Sequence, residues 1–190
     1  MKLSICFITL LVVATWAEAQ QPKTESTPKT KLEAFERQSG SVIIRGFSRH
    51  GSVSGRYGGS VAVESREFTN ATTGKREHGI VIDVKEGGRL EREDRSFIDY
   101  DEIDGLLKGI EYISKIQKDV TPFDHFQADY RTKGDLTVST FSSDGGEIAA
   151  AIESGRIGSV DVIIDLASLQ KLRNIILEAK EAIDKVRKAA

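Results

Sequence analysis

"SFIDYDEIDGLLKGI", Ser96 to Ile110, and "VIIDLASLQKLRNII", Val162 to Ile176, decide how this chain folds. Each reads as a strand closed by Ile-Asp, then a short polar step, then an amphipathic helix. In the first stretch and just beyond it, Ile103, Leu106, Leu107, Ile110, Ile113 and Ile116 recur at three- and four-residue steps, which lays one apolar stripe along a helix. The second stripe runs through Leu169, Leu172, Ile176, Ala179, Ile183 and Val186. Ile98 aligns with Ile164, Asp99 with Asp165, Ile103 with Leu169 and Leu106 with Leu172. A junction stated twice is an internal repeat. Asp101 is the expected N-cap of the first helix, with Asp104 as its capping-box partner, and Thr121-Pro122 is the expected stop.

Upstream of each junction the pattern has period two, the mark of half-buried strands. "SVIIRGF" opens the first set at Ser41, and the Gly-rich "GSVSGRYGG" is its turn. "SVAVESREF" puts Val61 and Val63 on one face, with Ala62, Glu64 and Arg66 on the other. "EHGIVIDVK" separates Ile80, Ile82 and Val84 from Val81, Asp83 and Lys85, and "RLEREDRSFID" returns as a charged fourth strand. The second set reads "FDHFQADYR", "GDLTVSTF", "EIAAAIES" and "SVDVIID". The expected fold is α+β: two ββββα repeats, over 41–120 and 121–190, with antiparallel sheets and pseudo-two-fold symmetry. Each sheet needs an apolar cover, so the two repeats should pack as one globular unit.

The N-terminal stretch reads differently. Lys2, the apolar run Leu3 to Trp16 and Ala17-Glu18-Ala19 fit a signal peptide over 1–19, cleaved near Ala19. The product is then expected in the periplasm or outside the cell, with no membrane span. Residues 20–40, rich in Pro, Thr and Lys, read as a disordered linker, although Leu32 to Arg37 has the makings of a helical turn. The chain's one cysteine, Cys6, lies inside the signal, so the exported part must be held by its core alone. With 27 basic against 29 acidic residues there is no global pull toward nucleic acid or anionic lipid.

The motifs that carry chemistry elsewhere fail here on spacing. "DYDEIDG" offers carboxylates for calcium, but its fifth, sixth and twelfth positions are Ile103, Asp104 and Ile110. The glycines of "GSVSGRYGGS" lead into a strand and not into a helix that could cradle phosphate. His50, His78 and His125 show no metal-binding spacing, so no metal or cofactor is expected. Ser48, His50 and Asp83 supply the residue types of a catalytic triad without a nucleophile-elbow motif. Asn70-Ala71-Thr72 is a glycosylation acceptor in a turn context that suits exposure. The candidate contact residues are Arg45, Arg49, His50, Arg56 and Tyr57, clustered in the first strand and its turn, together with Arg66 on the next strand. Arg suits bidentate contact with phosphate or carboxylate. An acidic partner at every one of these arginines would count against that role.

The two Ile-Asp junctions and the doubled ββββα order resemble the whirly-type domains and their relatives among single-stranded-nucleic-acid-binding transcription cofactors. The resemblance covers roughly 41–190. It implies nucleic acid bound along the strands through basic and aromatic residues, here Tyr57, Tyr130 or Phe68 for stacking. Export and the low aromatic content depart from that family. Three functions follow in order of expectation. The first is an exported non-catalytic binding or structural protein, whose partner is a protein or small ligand in the envelope or outside the cell. The second is a single-stranded nucleic-acid-binding module, and the third a hydrolase without a recognisable motif.

Overall fold

The computed structural model describes residues 27–89, 91–143 and 145–189. The expected signal segment and most of the linker lie outside them. Helix α1 (Lys31–Glu36) comes first, followed by strands β1 (Ile43–Ser54), β2 (Ser60–Asn70), β3 (Arg76–Lys85) and β4 (Glu93–Asp99). A 3-10 turn, Tyr100–Glu102, leads into α2 (Ile103–Ile113). The second set is β5 (Gln127–Arg131), β6 (Leu136–Ser142), β7 (Ile148–Ser154) and β8 (Val160–Ile164), and α3 (Leu166–Ala189) closes the chain. Each set forms an antiparallel sheet in sequence order, β1-β2-β3-β4 and β5-β6-β7-β8. The α+β fold of two ββββα repeats is therefore present.

The helices exchange sheets. α2 follows the first sheet but packs on β5 and β6, while α3 follows the second sheet and packs on β1, β2 and β3. Glycine permits both approaches. The Tyr130 ring from β5 lies where a side chain on Gly109 of α2 would be. Gly51, with φ +145, sits in a bulge of β1 directly against Ile175 of α3. The two helices also pack on each other, where Arg173 of α3 reaches the Leu107 carbonyl and Glu111 of α2. One apolar core results, joining Val61, Val63, Ile80 and Ile82 of the first sheet to Val138, Ile152 and Val162 of the second through both helix stripes. At the seam between sheets, buried Ser96 and Ser154 share a hydrogen bond of 2.7 Å, and Ser154 donates to Asp94 at 2.7 Å.

Four expectations are corrected. The linker over 20–40 does not stay open to its end, because α1 folds onto the outer face of the first sheet. Leu32 and Phe35 bury there against Phe68, Val81 and Phe97, which offsets part of the cost of ordering the helix. The helix starts as Thr30 accepts from the Glu33 N–H at 3.0 Å while the Glu33 carboxylate takes the Lys29 N–H at 2.7 Å. Asp101 does not cap α2: it lies in the 3-10 turn, and α2 has no side-chain cap. Instead Lys31 pairs with Asp101 and holds its carboxyl below the usual range. α2 ends at Ile113, well before Pro122. β1 runs through the segment expected to be a turn, because its bulge absorbs Arg49 to Gly51 and the ladder continues to Ser54.

Candidate functional site

Strand register sorts the first sheet into two faces. Arg45 lies opposite Phe68, Phe47 opposite Arg66, and Arg49 opposite Glu64; Glu64 in turn pairs with Val81, and Ala62 with Asp83. Residues directly opposite share a face. Arg45, Phe47, Arg49, Glu64, Arg66, Asp83 and Arg95 therefore stand on the outer face, the one on which α1 lies. α1 covers only the end near Phe68, Val81 and Phe97. The rest of the face remains open along β1.

The Arg45, Arg49 and Arg66 expected as contacts are thus brought together, in unequal settings. Arg66 is 11 % exposed and donates to Glu64 at 2.9 Å, which makes it part of the structure rather than of the surface. Arg49 is 80 % exposed and reaches the other oxygen of Glu64 at 3.0 Å. Burial pushes the Glu64 carboxyl up, but the Arg66 and Arg49 guanidiniums outweigh it and hold it below the usual carboxylate range. Arg45 lies over the Phe68 ring and 4.0 Å from Glu36 of α1. Arg56 sits beyond the bulge, its guanidinium 3.7 Å from Glu147 and its N–H donated to the Ile163 carbonyl at 2.8 Å. Each of these arginines has an acidic partner, which counts against a contact role for the set as a whole. The matching is not one to one, however, since Glu64 serves two cations. Glu64 is buried and keeps Arg66, so Arg49, 80 % exposed, is the cation of the set placed to take another partner.

His50 departs from the group. It points to the inner side and shares a hydrogen bond of 2.9 Å with Ser65. Beside it His78 meets Glu67 at 2.8 Å. Ser65, Glu67 and His78, but not His50, line a 210 Å³ cleft between β1 and the end of α3, which Phe47, Ser48 and Val186 also border. The triad of Ser48, His50 and Asp83 does not assemble, because Asp83 stands on the opposite face and is paired with Arg95 at 2.6 Å. Tyr57, at the hairpin tip, is 76 % exposed.

Two stacking candidates are lost and one is gained. Phe68 is fully buried and stacks on Phe35 of α1. Tyr130 is pressed onto α2 at Gly109, and its burial raises its pKa. Phe47 replaces them, 60 % exposed between Arg45 and Arg49. The period-two pattern already aligned these three residues; the distracting signal was the count of charges. The acceptor asparagine is not free for a glycan. Asn70 is 6 % exposed, donates to Gln38 at 2.9 Å and accepts the Thr72 and Thr73 N–H groups.

Among the described residues no group of three or more His, Cys, Asp or Glu side chains could hold a metal, and no helix is long and apolar enough to cross a membrane. In comparisons with protein-family models, curated proteins and solved structures, nothing matches this chain. The whirly resemblance thus rests on the order of strands and helices.

Proposed function

We propose that this is an exported, non-catalytic binding module that takes an anionic partner on the open outer face of its first sheet, along β1. The observation that carries the reading is Phe47, exposed between Arg45 and Arg49 on one face of a strand that neither α1 nor the core covers. Two guanidiniums flanking an apolar ring, Arg49 80 % and Arg45 49 % exposed, suit a carboxylate-bearing chain, with the ring supplying contact area and the cations supplying charge-assisted hydrogen bonds. The partner is a protein segment or small ligand of the envelope or the exterior. A second reading has a specific support: a ring between cations, with Tyr57 further along, also suits single-stranded nucleic acid, whose bases stack and whose phosphates pair with Arg.

Fluorescence anisotropy separates the two. A labelled oligoglutamate peptide and a labelled oligothymidylate are titrated with the protein at low and physiological salt. Peptide binding that weakens in Phe47→Ala and persists at physiological salt supports the first reading. Tighter oligonucleotide binding with the same dependence on Phe47 moves the assignment to the second. No binding of either probe at low salt contradicts both.

A further inference from the structure

We propose that the free edge of β1 pairs with the same edge of a second copy of this chain, antiparallel about a two-fold axis at Gly46, so that two first sheets join into one. The inference does not depend on what the outer face binds.

The four sheet edges are treated unequally. β4 is closed by the second repeat, where Gly134 has no room for a side chain against the Phe97 backbone. β8 receives the Arg56 N–H at Ile163. β5 offers only five residues. β1 is twelve residues long, pairs with β2 alone, and is exposed at every position from Ile44 to Arg49. An edge of that kind presents a row of unpaired N–H and C=O groups, and proteins usually blunt it with charged side chains (Lys above all), Pro, a bulge or shortness. β1 contains no Lys and no Pro, its two arginines are paired with Glu36 and Glu64 on the outer face, and its bulge between Arg49 and Gly51 bounds the usable edge at Ile43 to Arg49. The apolar side chains along and beside that edge, Val42, Ile44 and Phe47, are more than half exposed, and Val186 of α3 lies nearby across the cleft.

The side chains choose the register. An antiparallel pair about a two-fold places one residue opposite itself. With Arg45 on the axis, Arg45 faces its own copy. With Phe47 on the axis, Arg45 faces Arg49. Both set like charges directly opposite, which is unfavourable. Ile44 on the axis runs off the start of the strand, and Ser48 on the axis drives the pairing into the bulge. Gly46 on the axis leaves no side chain to crowd it and sets Arg45 opposite Phe47 twice, a cation over a ring on each side. Ile44 then faces Ser48, and Ile43 faces Arg49. The two Arg45–Phe47–Arg49 strips become neighbours on one continuous outer face.

A cysteine at the axis tests the register. Gly46 tolerates a side chain: its φ is not positive, and a Cβ there would meet only the Glu67 Cβ, at 3.9 Å. Self-opposed residues bring their Cα atoms to about 4.5–5.5 Å, within the reach of a disulfide. In a Cys6→Ser background, Gly46→Cys should cross-link to a covalent dimer under mild oxidation at micromolar protein. Lys108→Cys, exposed on α2, should not. Sedimentation equilibrium of the unsubstituted protein should show reversible dimers, and Phe47→Arg, which sets guanidinium against guanidinium, should weaken them at least tenfold. A monomer up to millimolar concentration, or Gly46→Cys linking no faster than Lys108→Cys, would overturn the proposal.

Discussion

The two sheets share strand order and register, yet their outer faces differ. Superimposing the Ile-Asp junctions puts Phe97 on Ile163, Val81 on Ala151, Gly79 on Ala149, and Glu64 on Ser139. The first face carries aromatic surface that water disfavours, and α1 covers it. The second carries small and polar residues and opens to solvent at Gln127, Asp129, Arg131 and Asp161. The two aspartates follow the same division. Asp165 caps its own helix, accepting the Ser168 N–H at 2.6 Å, and that backbone bond holds its carboxyl low. Asp99 turns to the outer face and accepts the Lys31 and Leu32 N–H groups at 2.9 and 3.2 Å, capping α1 from far along the chain. One motif therefore serves two ends: where the outer face is apolar, its carboxylate is recruited to hold the cover.

The largest test of that contrast is Leu32→Ala, which removes a fully buried side chain from under α1. It should cost about 2–5 kcal/mol in urea unfolding, whereas Ile163→Ala on the uncovered face should cost less than half as much. Equal losses would erase the distinction. Gly79→Ala comes next. A Cβ there collides with Leu32 and with the Ile98 carbonyl, so thermal unfolding should show a loss of about 1–3 kcal/mol. Ala149 occupies the matching place in the second sheet, which has no counterpart of α1 among the described residues. Asp99→Ala should cost a similar amount, about 1–3 kcal/mol, by orphaning two N–H groups. Hydrogen exchange should then quicken in α1 and not in α2. Asp165→Ala should quicken only the first turn of α3. If Asp99→Ala loosens α2 instead, the cap is misassigned.

The smallest effect is electrostatic. Glu64 has a folded pKa below its unfolded value, so its contribution is complete above the ordinary carboxylate range and fades as pH falls through the depressed folded value. Stability measured against pH should lose part of its acid limb in Glu64→Gln.

Periodicity made most of this fold readable. Val61, Val63, Ile80, Ile82 and Val84 alternate as the core requires, and the helix stripes bury nearly as spaced, except that Ile116 lies past the end of α2 and is only partly buried, Val186 is left exposed and Ile175 buries. The exchange of helices was not readable, since an apolar stripe does not name the sheet it meets; Gly105 and Gly109, one turn apart on α2, were the trace of it. α1 was readable in Thr30-Lys31-Leu32-Glu33, a capping box followed by Phe35, but the Pro- and Lys-rich context around it argued for a linker. At the candidate site the arginines drew attention and Phe47 did not. A charge count ignores burial, and burial is what separates Arg66 from Arg49.

The most direct measurement of the central claim uses the oligoglutamate probe on one double and one single charge removal in the intact protein. Arg45→Ala with Arg49→Ala should weaken binding by roughly tenfold or more, the scale of lost charge-assisted hydrogen bonds. Arg131→Ala, on the exposed outer face of the second sheet, should leave affinity within about twofold, as a rim charge does. Equal weakening by both, or none by the first, would contradict the assignment of the contact surface to β1.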